Sequence, residues 1–217
     1  MPYTHLQILG PFNTGTNLAD KLLNRRIHSP SGGSTHIWKH SILLSEVEST
    51  IQDNPETLFV VCYRPLFHWV KSMEKMSYEL IWDNRIDTPV KLRGCSFPNI
   101  VELYRHYYTM YQSLILRYKN VIWIEYYRVC DKATSYNYMK SKLDPFNVSL
   151  ISQSEYATRL NVKSKTGYSV KSSREAMEKK KHLDSIKPST FPVVQEVIDF
   201  FEESNRIEIN PNKREMV

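Results

Sequence analysis

Residues 57–63, TLFVVCY, form an unbroken run of apolar and β-branched side chains. A half-buried strand alternates apolar and polar positions, and an amphipathic helix repeats them every three to four residues. A short run with neither period suits a strand covered on both faces, as in the interior of a parallel sheet. Arg64 and Pro65 follow directly. Proline is well placed in a first helical turn, where its missing N–H costs no hydrogen bond, so the spacing predicts a helix over 65–76. The same order recurs along the chain. THLQIL at 4–9 reads as a strand, and 16–25 as a helix with Leu18, Leu22 and Leu23 on one face. HIWKH at 36–40 reads as a second strand and 42–52 as its helix; NVIWIEY at 120–126 reads as a strand after a long aromatic-rich helix over 100–118. Strands alternating with helices predict an α/β fold, a mainly parallel sheet flanked by helices on both faces.

Between these elements the pattern weakens. Residues 77–99 lack a steady period, hold Pro89, Gly94 and Pro98, and read as a surface excursion. A weaker helix is expected over 132–143. From 152 to 187 the chain turns polar and basic, which predicts a mobile loop with helical tendency around 172–183. A last helix is expected over 189–204, with Ser189 or Thr190 as cap, Pro192 in its first turn, and Val194, Val197, Ile198 and Phe201 on its buried side. With 217 residues and 41% hydrophobic side chains, one core is the expectation: a single domain over 1–204 and a loose tail over 205–217. Three widely spaced cysteines make neither a disulfide framework nor a zinc knuckle, and no window reaches the length of a membrane span. A soluble cytoplasmic protein is expected, with no membrane partner, and in it the Asn147–Ser149 sequon would stay idle. The formal charge of +6 favours an anionic partner such as nucleic acid, a nucleotide or a sulfated or phosphorylated substrate.

Two stretches carry the chemistry. In GPFNTGT, residues 10–16, a turn with two glycines joins strand to helix, and such a turn aims unpaired backbone N–H groups and the helix dipole at one point, where an anion fits. Gly10 and Gly15 have the spacing of a nucleotide-triphosphate loop, but Thr16 and Asn17 stand where that loop places lysine and then serine or threonine, which argues against ATP or GTP hydrolysis. A plain strand-to-helix turn is the alternative. The second stretch places Arg64 at a strand end and Ser72 two helical turns on. Arginine offers a planar fork to a phosphate and serine a further donor; a solvated cap and a surface serine are the bland readings.

In order and spacing these stretches resemble the sulfotransferases that use 3'-phosphoadenosine 5'-phosphosulfate (PAPS). Asn13–Thr16 is similar to that family's loop for the 5'-phosphosulfate, Arg64 with Ser72 matches its 3'-phosphate motif, and NVIWIEYYRV at 120–129 resembles its following strand; the resemblance covers residues 4 to about 143. It implies a P-loop-like nucleotide-binding fold in which Asn13, Thr14, Gly15, Thr16, Asn17, Arg64 and Ser72 hold PAPS or its product adenosine 3',5'-bisphosphate (PAP). The implied reaction is in-line sulfuryl transfer to a hydroxyl acceptor, a glycan or phenol, with no metal. HIWKH is similar to the family segment with a histidine behind a lysine, which makes His40 the expected base and Lys39 the expected cation. One departure matters: Asn13 stands where the family has lysine or arginine. Either Lys39 substitutes, or transfer is slow or absent.

The remaining candidates have plainer readings. Asp20 lies near a family glutamate but one position off register, and reads as a solvated helix residue. Lys163, Lys165 and Gly167 are loosely similar to a late basic loop over the 3'-phosphate; a solvated charge run explains them as well. Phe67 and Trp69 suggest core packing before adenine stacking, and the tyrosines at 104, 107, 108, 111 and 118 suggest packing first, though some could line an acceptor pocket. His36 and His40, four apart, lack the glutamate of a zinc-protease helix. Three other functions stay open: a nucleotide-binding protein of the same fold with impaired catalysis, a nucleotide or nucleoside kinase, and, from charge alone, nucleic-acid binding, which is set last because no such motif is present.

Overall fold

The computed structural model describes residues 3–23, 37–161 and 173–203. Three strands make the central sheet: β1 (His5–Leu9), β2 (Thr57–Tyr63) and β5 (Val121–Glu125), parallel throughout and adjacent in the order β1-β2-β5. Tyr63 pairs with Glu125, so β2 and β5 end together, and Leu9 pairs with Val61, so β1 ends two residues earlier. Every residue of β2 is buried, as an unalternating apolar run requires.

Because side chains alternate across a strand, the two faces of β2 build two cores. Leu58, Val60 and Cys62 pack with α1 (Thr16–Leu23), α5 (Tyr126–Cys130) and α6 (Ser135–Leu143). Phe59, Val61 and Tyr63 face α2 (Leu44–Asp53), α3 (Leu66–Met73) and α4 (Ile100–Arg117). Helices therefore cover both faces of a small α/β sheet. The α4 start is capped by Asn99, whose Oδ1 accepts from the amides of Val101 and Glu102, both at 3.0 Å. None of the described helices is long and apolar enough to cross a membrane.

Four expectations need correction. Residues 37–40 form no strand: Ser41 N donates to Trp38 O across a turn, and one backbone bond, Gly10 N to Lys39 O, ties this segment to the end of β1. Adjacent side chains on a strand point to opposite faces, whereas Lys39 and His40 both reach the loop after β1, Lys39 to Asn17 Oδ1 and His40 to Gly10 O, which a turn permits. Residues 77–99 include an antiparallel hairpin, β3 (Val90–Leu92) and β4 (Cys95–Phe97), turning through Arg93 and Gly94, both at positive φ as a tight two-residue turn demands. The basic stretch is helical where described. In α7 (Gln153–Asn161) Tyr156 and Leu160 are buried, and in α8 (Ser173–Ile186) Ala176 and Leu183 are, so a few apolar anchors suffice on otherwise polar helices. The last helix is shorter than expected: α9 (Gln195–Ile198) widens into a π-helical turn over Asp199–Glu203, and Pro192 precedes it. Val194, Val197 and Phe201 are buried as expected, while Ile198 is half-buried. The 205–217 tail, Lys163, Lys165, Gly167 and His36 lie outside the described residues.

Candidate anion site

The loop after β1 is held by its own carbonyls. Thr14 Oγ1 donates to Pro11 O at 2.7 Å, Trp69 Nε1 to Phe12 O at 2.7 Å, and Arg64 Nη1 to Asn13 O at 2.8 Å. Gly10 sits at φ +148°, where a Cβ would come within 2.9 Å of Thr14 Oγ1 and 3.0 Å of Cys62 O. Gly15, at φ +92°, would put a Cβ 2.4 Å from Tyr126 Cδ2. Both glycines are thus required by left-handed backbone and by close approach. With three carbonyls tied back, α1 opens at Thr16, and the amides of Thr16, Asn17 and Leu18 precede the first intrahelical bond, Ala19 N to Gly15 O. Thr14 and Thr16 are buried and Asn17 is exposed.

Arg64 is only 4% exposed, at the carboxyl end of the central strand. Its Nη1 meets Asn13 O and its Nη2 donates to Tyr127 Oη at 3.1 Å, while Nε has no hydrogen-bond partner. The guanidinium lies over the Tyr126 ring, 4.5 Å from its centroid, and 5.4 Å from that of Tyr127. Among the described residues it contacts neutral groups alone. A buried cation without a carboxylate is costly, and an anion is the partner that would offset it.

Ser72 and Asn13 occupy the far side of α3. Lys179, reaching over from α8, donates to Ser72 Oγ at 3.0 Å. The Asn13 amide turns away from the α1 end: Nδ2 donates to Ser72 O at 3.2 Å and Met76 O at 3.1 Å, capping the end of α3. Its backbone, at φ +60°, is the left-handed conformation that asparagine tolerates better than most residues. The Asn13 carbonyl receives Arg64, and its side-chain amide pins the loop to α3.

Lys39 does come to the loop. Its Nζ donates to Asn17 Oδ1, which sets a cation at the opening turn of α1. The turn at 37–40 is what allows this, because it lets Lys39 and its neighbour His40 address the same loop. His40 is buried against Phe12, ring centroids 4.2 Å apart, with Nδ1 2.6 Å from Gly10 O. A carbonyl can only accept, so Nδ1 carries the proton and Nε2 the lone pair. Burial pushes His40 down to about 4, against the pull of the Gly10 carbonyl.

A second histidine, which sequence reading passed over, links the site to α8. His68 Nε2 lies 3.0 Å from Asp184 Oδ1 and Nδ1 2.8 Å from Tyr127 Oη. Arg64 can only donate and the carboxylate can only accept, so the hydrogen bonds run one way, from Arg64 through Tyr127 and His68 to Asp184. Burial holds His68 neutral, down to about 4, with Asp184 opposing the shift and Arg64 adding to it.

Phe67 and Trp69 are core residues, as are Tyr104, Tyr107, Tyr108 and Tyr111. Tyr118 binds Glu48 and Gln52 away from the loop, and Asp20 is half-buried on α1. No group of three or more His, Cys, Asp and Glu among the described residues is placed to hold a metal. Comparison of the chain with protein-family models, with curated proteins and with solved structures gives no match. Tyr126, Tyr127, His68, Lys179 and Asp184 had a signal only in part: the EYYRV end of β5 announced aromatic groups beside the strand termini, and nothing local marked α8 as a cover.

Proposed function

We propose that the chain binds a nucleotide bearing a 3'-phosphate, of the PAP and PAPS type, on a P-loop-like α/β sheet and transfers its sulfuryl group to a hydroxyl acceptor. The observation that carries the reading is Arg64, a buried guanidinium with neutral partners at the ends of two adjacent parallel strands. Ligands of open α/β sheets bind beyond the carboxyl ends of the strands, which is where the loop and Arg64 meet.

In this reading Arg64, Ser72 and Lys179 receive the 3'-phosphate, and the amides opening α1 receive the phosphosulfate. Lys39 replaces the charge that Asn13 lacks, neutralising the oxygen left behind as sulfur departs. His40, protonated on Nδ1, keeps Nε2 as the lone pair that takes the acceptor's proton. It is a weak base, and a loose transition state, as in phosphoryl transfer, asks little of it. The commitment of the Asn13 amide to α3 favours a second reading, a protein that binds the nucleotide and turns it over slowly.

Calorimetric titration of PAP tests the first step, with ATP as control. Wild type is expected to bind PAP in preference to ATP, and Arg64→Ala to weaken binding about tenfold or more, the worth of a charge-assisted hydrogen bond. Equal binding by wild type and Arg64→Ala overturns the reading. Transfer of labelled sulfate to phenolic and glycan acceptors, with and without Lys39→Ala, then separates the enzyme from the slow binder.

A further inference from the structure

Three buried phenols on α4 reach the site from one side. Tyr107 and Tyr108 follow Tyr104 by three and four residues, so all three share a helix face, and none is more than 1% exposed. Each hydroxyl donates to a backbone carbonyl outside α4: Tyr104 Oη to Arg64 O at 3.0 Å, Tyr107 Oη to His40 O at 2.8 Å, and Tyr108 Oη to Cys62 O at 3.1 Å. Tyr108 Oη also accepts from Arg64 N at 3.2 Å. Burial raises all three phenols above the ordinary tyrosine value, so each keeps its proton. Their hydroxyls are spent on backbone, which leaves them no part in lining an acceptor pocket.

The two segments they meet lie where the sheet gives no support. Residues 37–40 form no strand, and the His40 carbonyl takes Tyr107 in place of a ladder partner; from the same helix, His106 Nε2 lies 2.7 Å from Ile42 O. On the other side, β1 stops at Leu9, opposite Val61, while β2 runs on to Tyr63. Tyr108 Oη closes both bonds that a continuing parallel strand would make there, to the Cys62 C=O and the Arg64 N–H. Tyr104 closes the Arg64 C=O, so the Arg64 backbone is held at both its polar groups. One rigid helix thus ties together two segments distant in the chain.

We propose that Tyr104, Tyr107 and Tyr108 are positioning residues: Tyr104 and Tyr108 hold the Arg64 backbone so that its guanidinium meets the nucleotide's phosphate, and Tyr107 holds the His40 backbone so that Nε2 faces the acceptor. α4 then sets the spacing between the nucleotide side and the acceptor side, and a reacting group has to be held within about 0.5 Å of its productive place. The proposal rests on the nucleotide reading above.

Deleting one hydroxyl at a time tests it, with Tyr156→Phe as control, because Tyr156 is a buried phenol bonded to Ser135 Oγ in the other core. A purely structural role makes the four variants alike: each loses stability and, well below its unfolding midpoint, keeps wild-type PAP affinity, turnover and His40 ring signals. Positioning separates them. Tyr104→Phe and Tyr108→Phe should each weaken PAP about three- to tenfold, and Tyr104→Phe carries this arm if Tyr108→Phe does not fold. Tyr107→Phe should leave PAP affinity within about twofold, yet lower kcat for sulfate transfer about tenfold at unchanged acceptor KM. Nitrogen-15 NMR of the histidine rings reads Tyr107 without turnover: the His40 Nδ1 proton, held to Gly10 O, should exchange faster with water in Tyr107→Phe, while the His68 Nε2 proton, held to Asp184, keeps its wild-type rate. PAP binding by wild type that the phenylalanine variants all share overturns the proposal, as does Tyr107→Phe with wild-type turnover and wild-type His40 exchange. Where wild type binds PAP and transfers no sulfate, the His40 exchange decides the Tyr107 arm. Absence of PAP binding by wild type overturns the nucleotide reading and this proposal with it.

Discussion

His40 touches the loop after β1 directly and His68 is joined to it through Tyr127 and Arg64; both are buried and both brought down to about 4 by burial. They settle in opposite tautomers. His40 faces a carbonyl through Nδ1 and so keeps its lone pair on Nε2; His68 faces a carboxylate through Nε2 and offers its Nδ1 lone pair to the Tyr127 hydroxyl. The first ring ends a chain of donors at the backbone of Gly10. The second sits in the middle of one, with a cation at one end and an anion on a separate helix at the other. Burial alone therefore does not assign a role to a histidine; the partner of each nitrogen does.

The largest effect expected from this comparison is with pH. Both histidines take up a proton near 6.5 when unfolded and only near 4 when folded. Between those values the unfolded chain binds more protons, so stability is full above about 6.5 and falls as pH drops towards 4, by roughly 2–5 kcal/mol for the pair. Denaturant unfolding at pH 7.5 and 4.5 measures it, and His40→Gln and His68→Gln should each remove about half of the loss. A flat profile would break the comparison at its root.

The next effect separates the two rings. His68→Leu removes the group to which the Tyr127 hydroxyl donates and one of the two from which Asp184 accepts, and should cost about 2–3 kcal/mol, with faster amide exchange across residues 173–186. His40→Leu should leave exchange in that segment at its wild-type rate. Similar exchange in the two variants would mean that α8 rests on packing and owes nothing to the Arg64-to-Asp184 chain. The smallest effect concerns the loop after β1. Asn13→Ala removes the cap on α3 and should cost about 1 kcal/mol of stability, while PAP affinity changes less than about twofold, because the carbonyl that meets Arg64 is retained. A tenfold loss of affinity would return the Asn13 side chain to the nucleotide.

The sheet and its helices were readable where one signal had one structural solution. TLFVVCY admits little besides an inner strand, and the order of strand, loop and helix around it followed. HIWKH misled because five residues of mixed polarity satisfy a strand template, while the decision belonged to the distant loop after β1, which the adjacent side chains of Lys39 and His40 both contact. The hairpin at 90–97 turns through Arg93 and Gly94, a weaker signal than Asn-Gly or Asp-Gly. Within the site, Arg64 and the two glycines were visible because their chemistry is local: a fork after a strand, and backbone that only glycine fits. His68, Tyr127 and Asp184 come from three helices, and pairings 59 and 116 residues apart leave no mark on any single stretch.

The strand order has a consequence for how the molecule is made. In this sheet β1, β2 and β5 are neighbours in the order in which they occur along the chain. A ribosome releasing the protein from its N-terminus delivers each strand next to an edge that is already waiting. One of the two hydrogen-bonding edges exposed at any moment is the one that the next strand will cover, which shortens the time for which that edge is open to another nascent chain. Arg64 emerges just behind β2, before Tyr126 and Tyr127 exist to shield it, so its charge is buried late in synthesis.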